Sequence, residues 1–198
     1  FIVTNDKFFQ DFQYWANNYE SSKAITVIND GTKTNEDRLG AVGDIHFVIQ
    51  QMGIDDDIAI IGGDNLFEFS FRHLIDFAKN KNTSVLACYD MKDPAKLSKK
   101  FGTVETNDEH KVVGFEEKPE QPKTSLCATC CYVFMKDDVQ EFENCIKENK
   151  KPDNPGDFIR YLSEKKHVHG YIFEENWFDI GSHEQLQEVR DLYEKNNE

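Results

Sequence analysis

Apolar residues along the chain fall into short uninterrupted runs and longer stretches of helical spacing, and the two alternate through the first half. Phe1-Ile2-Val3-Thr4 reads as a strand. Asn5 or Asp6 can cap a helix running to about Tyr19, with Phe8, Phe9, Phe12 and Trp15 on its apolar side. Ala24 to Ile28 is the next strand, Asn29-Asp30-Gly31 opens a polar loop to Asp37, and a helix spans about Ala41 to Met52. Ile58-Ala59-Ile60-Ile61 is apolar throughout, which suits a strand buried on both faces. Gly62-Gly63 then let the backbone turn, and Asp64 follows at once. Ser70 is a suitable N-cap for a helix from Phe71 to about Asn80, a strand covers Ser84 to Tyr89, and a short helix follows Pro94.

The pattern then changes. Phe101 to Glu105 and Val112 to Glu117 flank the polar turn Asn107-Asp108-Glu109 and predict a β-hairpin. Leu126 to Met135 reads as a strand, and a helix covers about Asp137 to Asn149. Asn154-Pro155 starts another helix with proline at its first position. His167 to Phe173 and Trp177 to Ile180 are strands, and Ser182 with Gln185 makes a capping box for the last helix. Alternating β and α elements followed by hairpins predict an α/β fold: one mixed sheet in three layers, forming a single domain over residues 1–198 without repeats or low-complexity tracts.

Composition narrows the function. A chain of 198 residues can bury a core, and its 16 Phe argue against disorder. A formal net charge of -14 argues against nucleic acid as a partner, because phosphates demand basic patches. It leaves nucleotides open, since a bound metal ion inverts the local field. No apolar run approaches the ~20 residues of a membrane span, so the expectation is a soluble, cytoplasmic protein with no membrane partner. The oligomeric state stays open, a homo-oligomer included. Cys88, Cys127, Cys130, Cys131 and Cys145 are odd in number and clustered, unlike a disulfide framework. Cys127 and Cys130 have C-x-x-C spacing, but they lie on a strand with no second ligand pair, and burial is the expectation.

Asp64 follows a strand, where ligands of open α/β sheets bind. Ser70 takes the helix-capping role that would otherwise explain it. Asp179, in Trp177-Phe178-Asp179-Ile180-Gly181, also stands at a strand end, and its capping alternative is taken by Ser182. Two such carboxylates would repel unless a cation lay between them, and Mg²⁺ takes one or two carboxylates and fills its shell with water and phosphate oxygens. In Phe115-Glu116-Glu117-Lys118-Pro119, proline stiffens the exit from the strand and fixes where Lys118, a point charge suited to phosphate, points. The small residues of Leu39-Gly40-Ala41-Val42-Gly43 at a helix start suit either close approach of a ligand to backbone amides or helix packing. Asp55-Asp56-Asp57 reads as a solvated turn, and His167-x-His169 as a structural pair without a third ligand.

Taken in order, Leu39 to Gly43, Gly62-Gly63-Asp64-Asn65, Phe101-Gly102, Phe115 to Pro119 and Trp177 to Gly181 resemble the sugar-1-phosphate nucleotidylyltransferases, with glucose-1-phosphate thymidylyltransferases and uridylyltransferases the nearest named members. The likeness covers essentially the whole chain. It implies the Rossmann-like nucleotide-diphospho-sugar transferase fold and a Mg²⁺-dependent reaction of dTTP or UTP with a sugar 1-phosphate, giving an NDP-sugar and pyrophosphate. By the resemblance, Asp64 and Asp179 hold Mg²⁺, and Lys118 contacts the sugar phosphate. Glu117 contacts the sugar hydroxyls and Gly102 meets the sugar with its backbone. The Gly40, Ala41 and Gly43 backbone lies against the base.

The family opens with a glycine-rich G-x-G-T-R-L loop that cradles the triphosphate, and this sequence has none. Either the upstream residues are missing from this sequence or the gene product is degenerate; the expectation is that a βα unit precedes Phe1 in the whole protein, and the activity of residues 1–198 alone stays open. Two other readings remain: a non-catalytic module that binds sugar nucleotides, and a metal-dependent glycosyltransferase of related fold using Asp55 to Asp57 or Asp64.

Overall fold

The computed structural model describes residues 1–149 and 152–195. The chain divides into two compact units, Phe1–Asp56 with Lys136–Tyr161, and Asp57–Met135 with Leu162–Glu198. No helix among the described residues is long and apolar enough to cross a membrane.

In the first unit, strand β1 (Ile2–Thr4) pairs in parallel with β2 (Val27–Asn29), Ile2 opposite Val27. A parallel pair needs a crossover, and helix α1 (Phe9–Asn18) supplies it. The helix starts later than its capping signal predicts, because the Asn5 carbonyl and side chain both accept from the Phe8 amide in a preceding turn. Its expected apolar side is largely exposed: Phe8, Phe12 and Trp15 are each more than 40% accessible, Phe9 is half-buried, and no α1 residue is buried. Helical spacing tells which residues share a face, not whether anything covers it.

Helix α2 (Ala41–Met52) has the predicted bounds because glycines set them. Gly40 (φ 77°) and Gly53 (φ 58°) take left-handed conformations at its two ends, and the Gly53 amide returns to the last helical carbonyls. The helix expected over Asp137 to Asn149 is interrupted at Gln140, giving α4 (Lys136–Val139) and α5 (Glu141–Asn149). Helix α6 (Pro155–Lys165) starts at its proline, and Phe158 on it stacks on Phe142 of α5 with ring centroids 3.7 Å apart.

The second unit is built on a six-stranded mixed sheet of β3 (Ile58–Ile61), β5 (Ser84–Asp90), β6 (Thr103–Thr106), β7 (Val112–Glu116), β8 (Leu126–Phe134) and β9 (Val168–Phe173). The long strand β8 is its spine. β5 runs antiparallel along one edge of β8 and carries β9 in parallel on its far side. Along the other edge β8 pairs first with β6, at Cys127 opposite Thr103, and then with β3, from Cys131 to Phe134. β7 closes the predicted hairpin against β6. Between these two contacts β8 bulges. Leu86 pairs with Tyr132 and Cys88 with Ala128, so Ala87 alone faces Thr129, Cys130 and Cys131. The Thr129 hydroxyl donates to the Ala87 carbonyl at 2.9 Å and occupies an acceptor that the bulge takes out of the ladder.

One expectation for this unit needs correction. β3 was expected to be buried on both faces, but Ala59 is exposed and Ile61 is 49% accessible, because β8 is the only strand it pairs with among the described residues. The short helix after Pro94 is a single 3₁₀ turn, Pro94–Leu97. The cysteines follow the alternation: Cys127 and Cys131 are buried and Cys130 is half-buried.

Helix α3 (Phe71–Lys81) follows Ser70 as expected, and lays Leu74 and Ala78 against Val85, Ala87, Cys131 and Val133 of the sheet, with Phe69 and Phe173 completing the core. Helix α7 (His183–Lys195) starts at its capping box, with the Ser182 hydroxyl accepting from the Gln185 amide and the Gln185 side chain from the Gly181 amide. Leu74 has no accessible surface. Leu74→Ala should therefore cost about 2–5 kcal/mol in a denaturant titration, and a loss under about 1 kcal/mol would mean that this core is loosely packed.

Candidate active site

The turn after β3 is set by a close approach between two strands. The Gly62 amide donates to the Cys130 carbonyl at 2.7 Å, and a β-carbon on Gly62 would fall 2.7 Å from that of Cys130. Any side chain there would push β3 off the bulge. The Asn65 amide then closes a four-residue turn onto the Gly62 carbonyl at 3.1 Å, leaving Asp64 at its exposed corner.

From there the chain enters β4 (Asn65–Phe67), which pairs antiparallel with β10 (Trp177–Asp179) in the register Asn65 opposite Asp179. The Ile180 amide donates to the Asp64 carbonyl at 2.8 Å. This register brings together two carboxylates that lie 115 positions apart in the sequence. Asn65 fixes the arrangement: its side-chain amide donates to Asp64 Oδ1 at 2.8 Å, and its oxygen accepts from Trp177 Nε1 at 2.7 Å. Sequence reasoning gave Asn65 no such role, although it directly follows the Gly-Gly-Asp signal.

The electrostatics reflect the crowding. Burial first, and the nearby Asp64 charge second, hold the Asp179 carboxyl above its ordinary pKa, while the Lys118 ammonium draws it back down. Cys130 lies in the same field. Its thiol is pushed up to about 11, mainly by burial, with Asp64, Asp179 and Glu117 adding to the effect, so it is a neutral group beside the carboxylates. Gly102 stands where β6 joins β8, its carbonyl accepting from the Ala128 amide at 2.9 Å. A side chain on Gly102 would meet Phe115 Cζ at 2.7 Å and Glu117 Oε2 at 3.1 Å. Asp64, Gly102, Glu117, Lys118 and Asp179 thus all belong to the second unit.

Two hard oxygen donors from separate chain segments fit a hard cation that fills the rest of its shell with water and phosphate. Among the described residues no cluster of three or more His, Cys, Asp or Glu forms a fuller metal cage. The Cys127/Cys130 and His167/His169 spacings accordingly gather no further ligands there.

Gly40, Ala41 and Gly43 belong to the first unit, and packing within that unit accounts for their size. The Ala41 amide donates to the Asp153 carbonyl at 2.9 Å, Arg38 pairs with the Asp153 carboxylate, and a β-carbon on Gly40 would lie 2.6 Å from Asp153 Oδ1. One turn into α2 stands a residue the sequence did not single out. Asp44 has one carboxyl oxygen buried without a partner and shares a hydrogen bond with Asp30. Burial, followed by the Asp30 charge, raises its pKa to about 7.

The unfolded chain releases the Asp44 proton near pH 4, whereas the fold retains it to about pH 7. Stability contributed by the neutral form is therefore full below pH 4 and is lost as pH rises to about 7. Asp44→Asn should remove this dependence. Its melting temperature relative to the parent should climb between pH 4 and 7 and level off above, and a pH-independent difference would refute the assignment.

Residues 1–196 match the family model described as Nucleotidyl transferase. A glucose-1-phosphate adenylyltransferase of Geobacillus stearothermophilus is 29% identical over 177 residues, covering 86% of this chain and 45% of that protein. A second, from Clostridium novyi (strain NT), is 29% identical over 155 residues, 70% of this chain and 40% of the relative. The chain thus spans under half the length of these relatives. Among solved structures, apo UDP-glucose pyrophosphorylase superposes with a TM-score of 0.77 at 16% identity, over 100% of this chain and 81% of that one. UDP-glucose pyrophosphorylase complexed with UDP-glucose gives 0.70 at 18% identity, over 86% and 66%. At these identities the structures establish the nucleotide-diphospho-sugar transferase fold.

Proposed function

The chain belongs to the nucleotidyl transferase family, and on that basis we propose that the protein joins the nucleotidyl group of an NTP to a sugar 1-phosphate, releasing pyrophosphate and leaving an NDP-sugar. The observation that carries this reading is the pairing of β4 with β10, which brings Asp64 and Asp179 to one place with Lys118 close enough to affect Asp179. Residues 1–198 act in this reading as one nucleotidyltransferase domain in a cytoplasmic protein.

In the proposed reaction a sugar-phosphate oxygen attacks the α-phosphorus of the NTP. The bond from that phosphorus to the bridging oxygen of the β-phosphate breaks, and pyrophosphate leaves with the electron pair. The attacking oxygen is already anionic at neutral pH, so no general base is required. The protein has to orient two polyanions and offset their repulsion. Lys118 holds the sugar phosphate as a point charge, Glu117 accepts from sugar hydroxyls, and Gly102 lets the backbone approach the ring. The Gly40, Ala41 and Gly43 backbone would border the base. Asp64 and Asp179 would hold Mg²⁺, whose charge offsets that of the phosphates. The sequence likeness favours dTTP or UTP, while the curated relatives are adenylyltransferases, so ATP stands beside them as a candidate donor.

The test is pyrophosphate release by the full gene product from ATP, dTTP, UTP and CTP with glucose 1-phosphate, with and without Mg²⁺. Release with one NTP, dependent on Mg²⁺, is expected. Asp179→Ala should lower kcat by about 10²–10³-fold with the fold retained. Lys118→Ala should mainly raise KM for the sugar phosphate, by about 10- to 100-fold, as loss of a hydrogen bond to a charged group does. Silence across the panel with NDP-sugar binding intact would favour the non-catalytic module, and unchanged activity in both variants would refute the site.

A further inference from the structure

Lys118 is in a backbone conformation that its sequence disfavours. Its φ is 45°, in the left-handed region, and it directly precedes Pro119, whose ring pushes the preceding residue toward extended backbone. Such conformations persist only where surrounding structure holds them. The segment following the 3₁₀ turn Pro94–Leu97 does so here. The Lys99 amide donates to the Pro119 carbonyl at 2.9 Å, and the Ser98 hydroxyl donates to the Glu120 carbonyl at 2.8 Å. Lys99 is itself left-handed (φ 59°), which turns its amide outward toward Pro119. The segment is in turn anchored: Leu97 is fully buried, the Asp93 side chain caps the turn by accepting from the Ala95 amide at 3.0 Å, and the Lys100 amide returns to the Leu97 carbonyl at 3.0 Å.

Resting on the proposed sugar-phosphate role of Lys118, we infer that Ser98 and the Lys99 backbone form a clamp that holds Pro119 and Glu120, and thereby sets the direction in which Lys118 presents its ammonium group. Ser98 is a positioning residue: it touches neither substrate nor Lys118, and acts through the Glu120 carbonyl. The ion pair between Lys99 and Glu120 crosses the same gap at 2.8 Å, but both side chains are more than 60% accessible, and exposed pairs of this kind contribute little. The backbone contacts and the serine carry the function.

Three variants of the full gene product test this. Ser98→Ala removes one of the two hydrogen bonds and should raise KM for the sugar 1-phosphate about 3- to 10-fold, the scale of one neutral hydrogen bond, with KM for the NTP and the melting temperature unchanged. Ser98→Thr retains the hydroxyl and should restore KM. Lys99→Gly removes the ion pair yet takes the left-handed conformation freely, and should behave as the parent. Equal rises in both KM values for Ser98→Ala, or no rise, would overturn the clamp, as would a Lys99→Gly defect matching that of Ser98→Ala. The three-bond HN–Hα coupling of Lys118 reads φ without turnover and should move toward its extended value in Ser98→Ala. If the parent releases no pyrophosphate but this coupling shifts, the functional reading fails and the clamp stands. An unchanged coupling overturns the clamp whatever the activity.

Discussion

The site depends on the bulge in β8. An uninterrupted β8 would pair with one neighbour along its whole second edge, as it does with β5 on the first. The mismatch of one residue in β5 against three in β8 displaces Thr129 and Cys130, so that edge is shared: β3 ends at Ile61 opposite Cys131 and β6 begins at Thr103 opposite Cys127, with Gly62 and Gly102 bonding Cys130 and Ala128 between them. Both junctions are made by glycines, Gly62 and Gly102, because a side chain would collide with Cys130 Cβ at the first and with the Phe115 ring at the second. Asp64 therefore leaves the sheet close to where Gly102 enters it. The Thr129 hydroxyl, bonded to the Ala87 carbonyl, offsets the lost ladder contact and makes the bulge affordable in a buried strand.

Local signals read well from the sequence. Helix α2 matched its expected bounds because a glycine stands at each end, and the Ser182/Gln185 box marked α7. Asp64 and Asp179 were legible because each stands at a strand end and each has a better capping residue nearby. Features set by long-range pairing were not. β3 looked buried on both faces because its run is purely apolar, yet accessibility depends on how many strands flank it. Helical spacing gave the aromatic side of α1 as a face but carried no signal of its exposure. The Asn65 bridge depends on the β4–β10 register, and the bulge on which residues of β5 oppose β8. The left-handed turns at Lys99 and Lys118 have no glycine to announce them.

Charge explains why so acidic a chain can still be a phosphate-binding one. A net charge of -14 would repel a triphosphate if it acted as a uniform cloud, but screening confines each charge to about 8–10 Å, and the local arrangement decides. Around Asp64 and Asp179 the carboxylates are close enough that burial and the Asp64 charge raise Asp179, a repulsion that the cation of the proposed function would relieve. The same physics has a different outcome at Asp44. There a second carboxylate, Asp30, faces a half-buried acid, and with a pKa of about 7 the pair relieves its repulsion by retaining a proton. Exposure separates the two cases: Asp64 lies at an open turn, whereas an Asp44 oxygen is closed off.

A single lysine beside an acidic pair raises a problem of direction. Its side chain is long, flexible and exposed, and neighbouring carboxylates attract it as well. Side-chain packing cannot restrain an exposed ammonium, so the restraint has to come from the backbone. A left-handed residue locked between strand β7 and a proline has few alternative directions for its Cα–Cβ bond, and clamping the carbonyls of the next two residues removes more. The conformational cost falls on the folded protein, where burial of Leu97 offsets it, and not on each binding event. The bulge that opens the sheet and the strained turn at Lys118 are thus two uses of one device, in which irregular backbone stabilised by a buried neighbour gives a polar group a fixed direction.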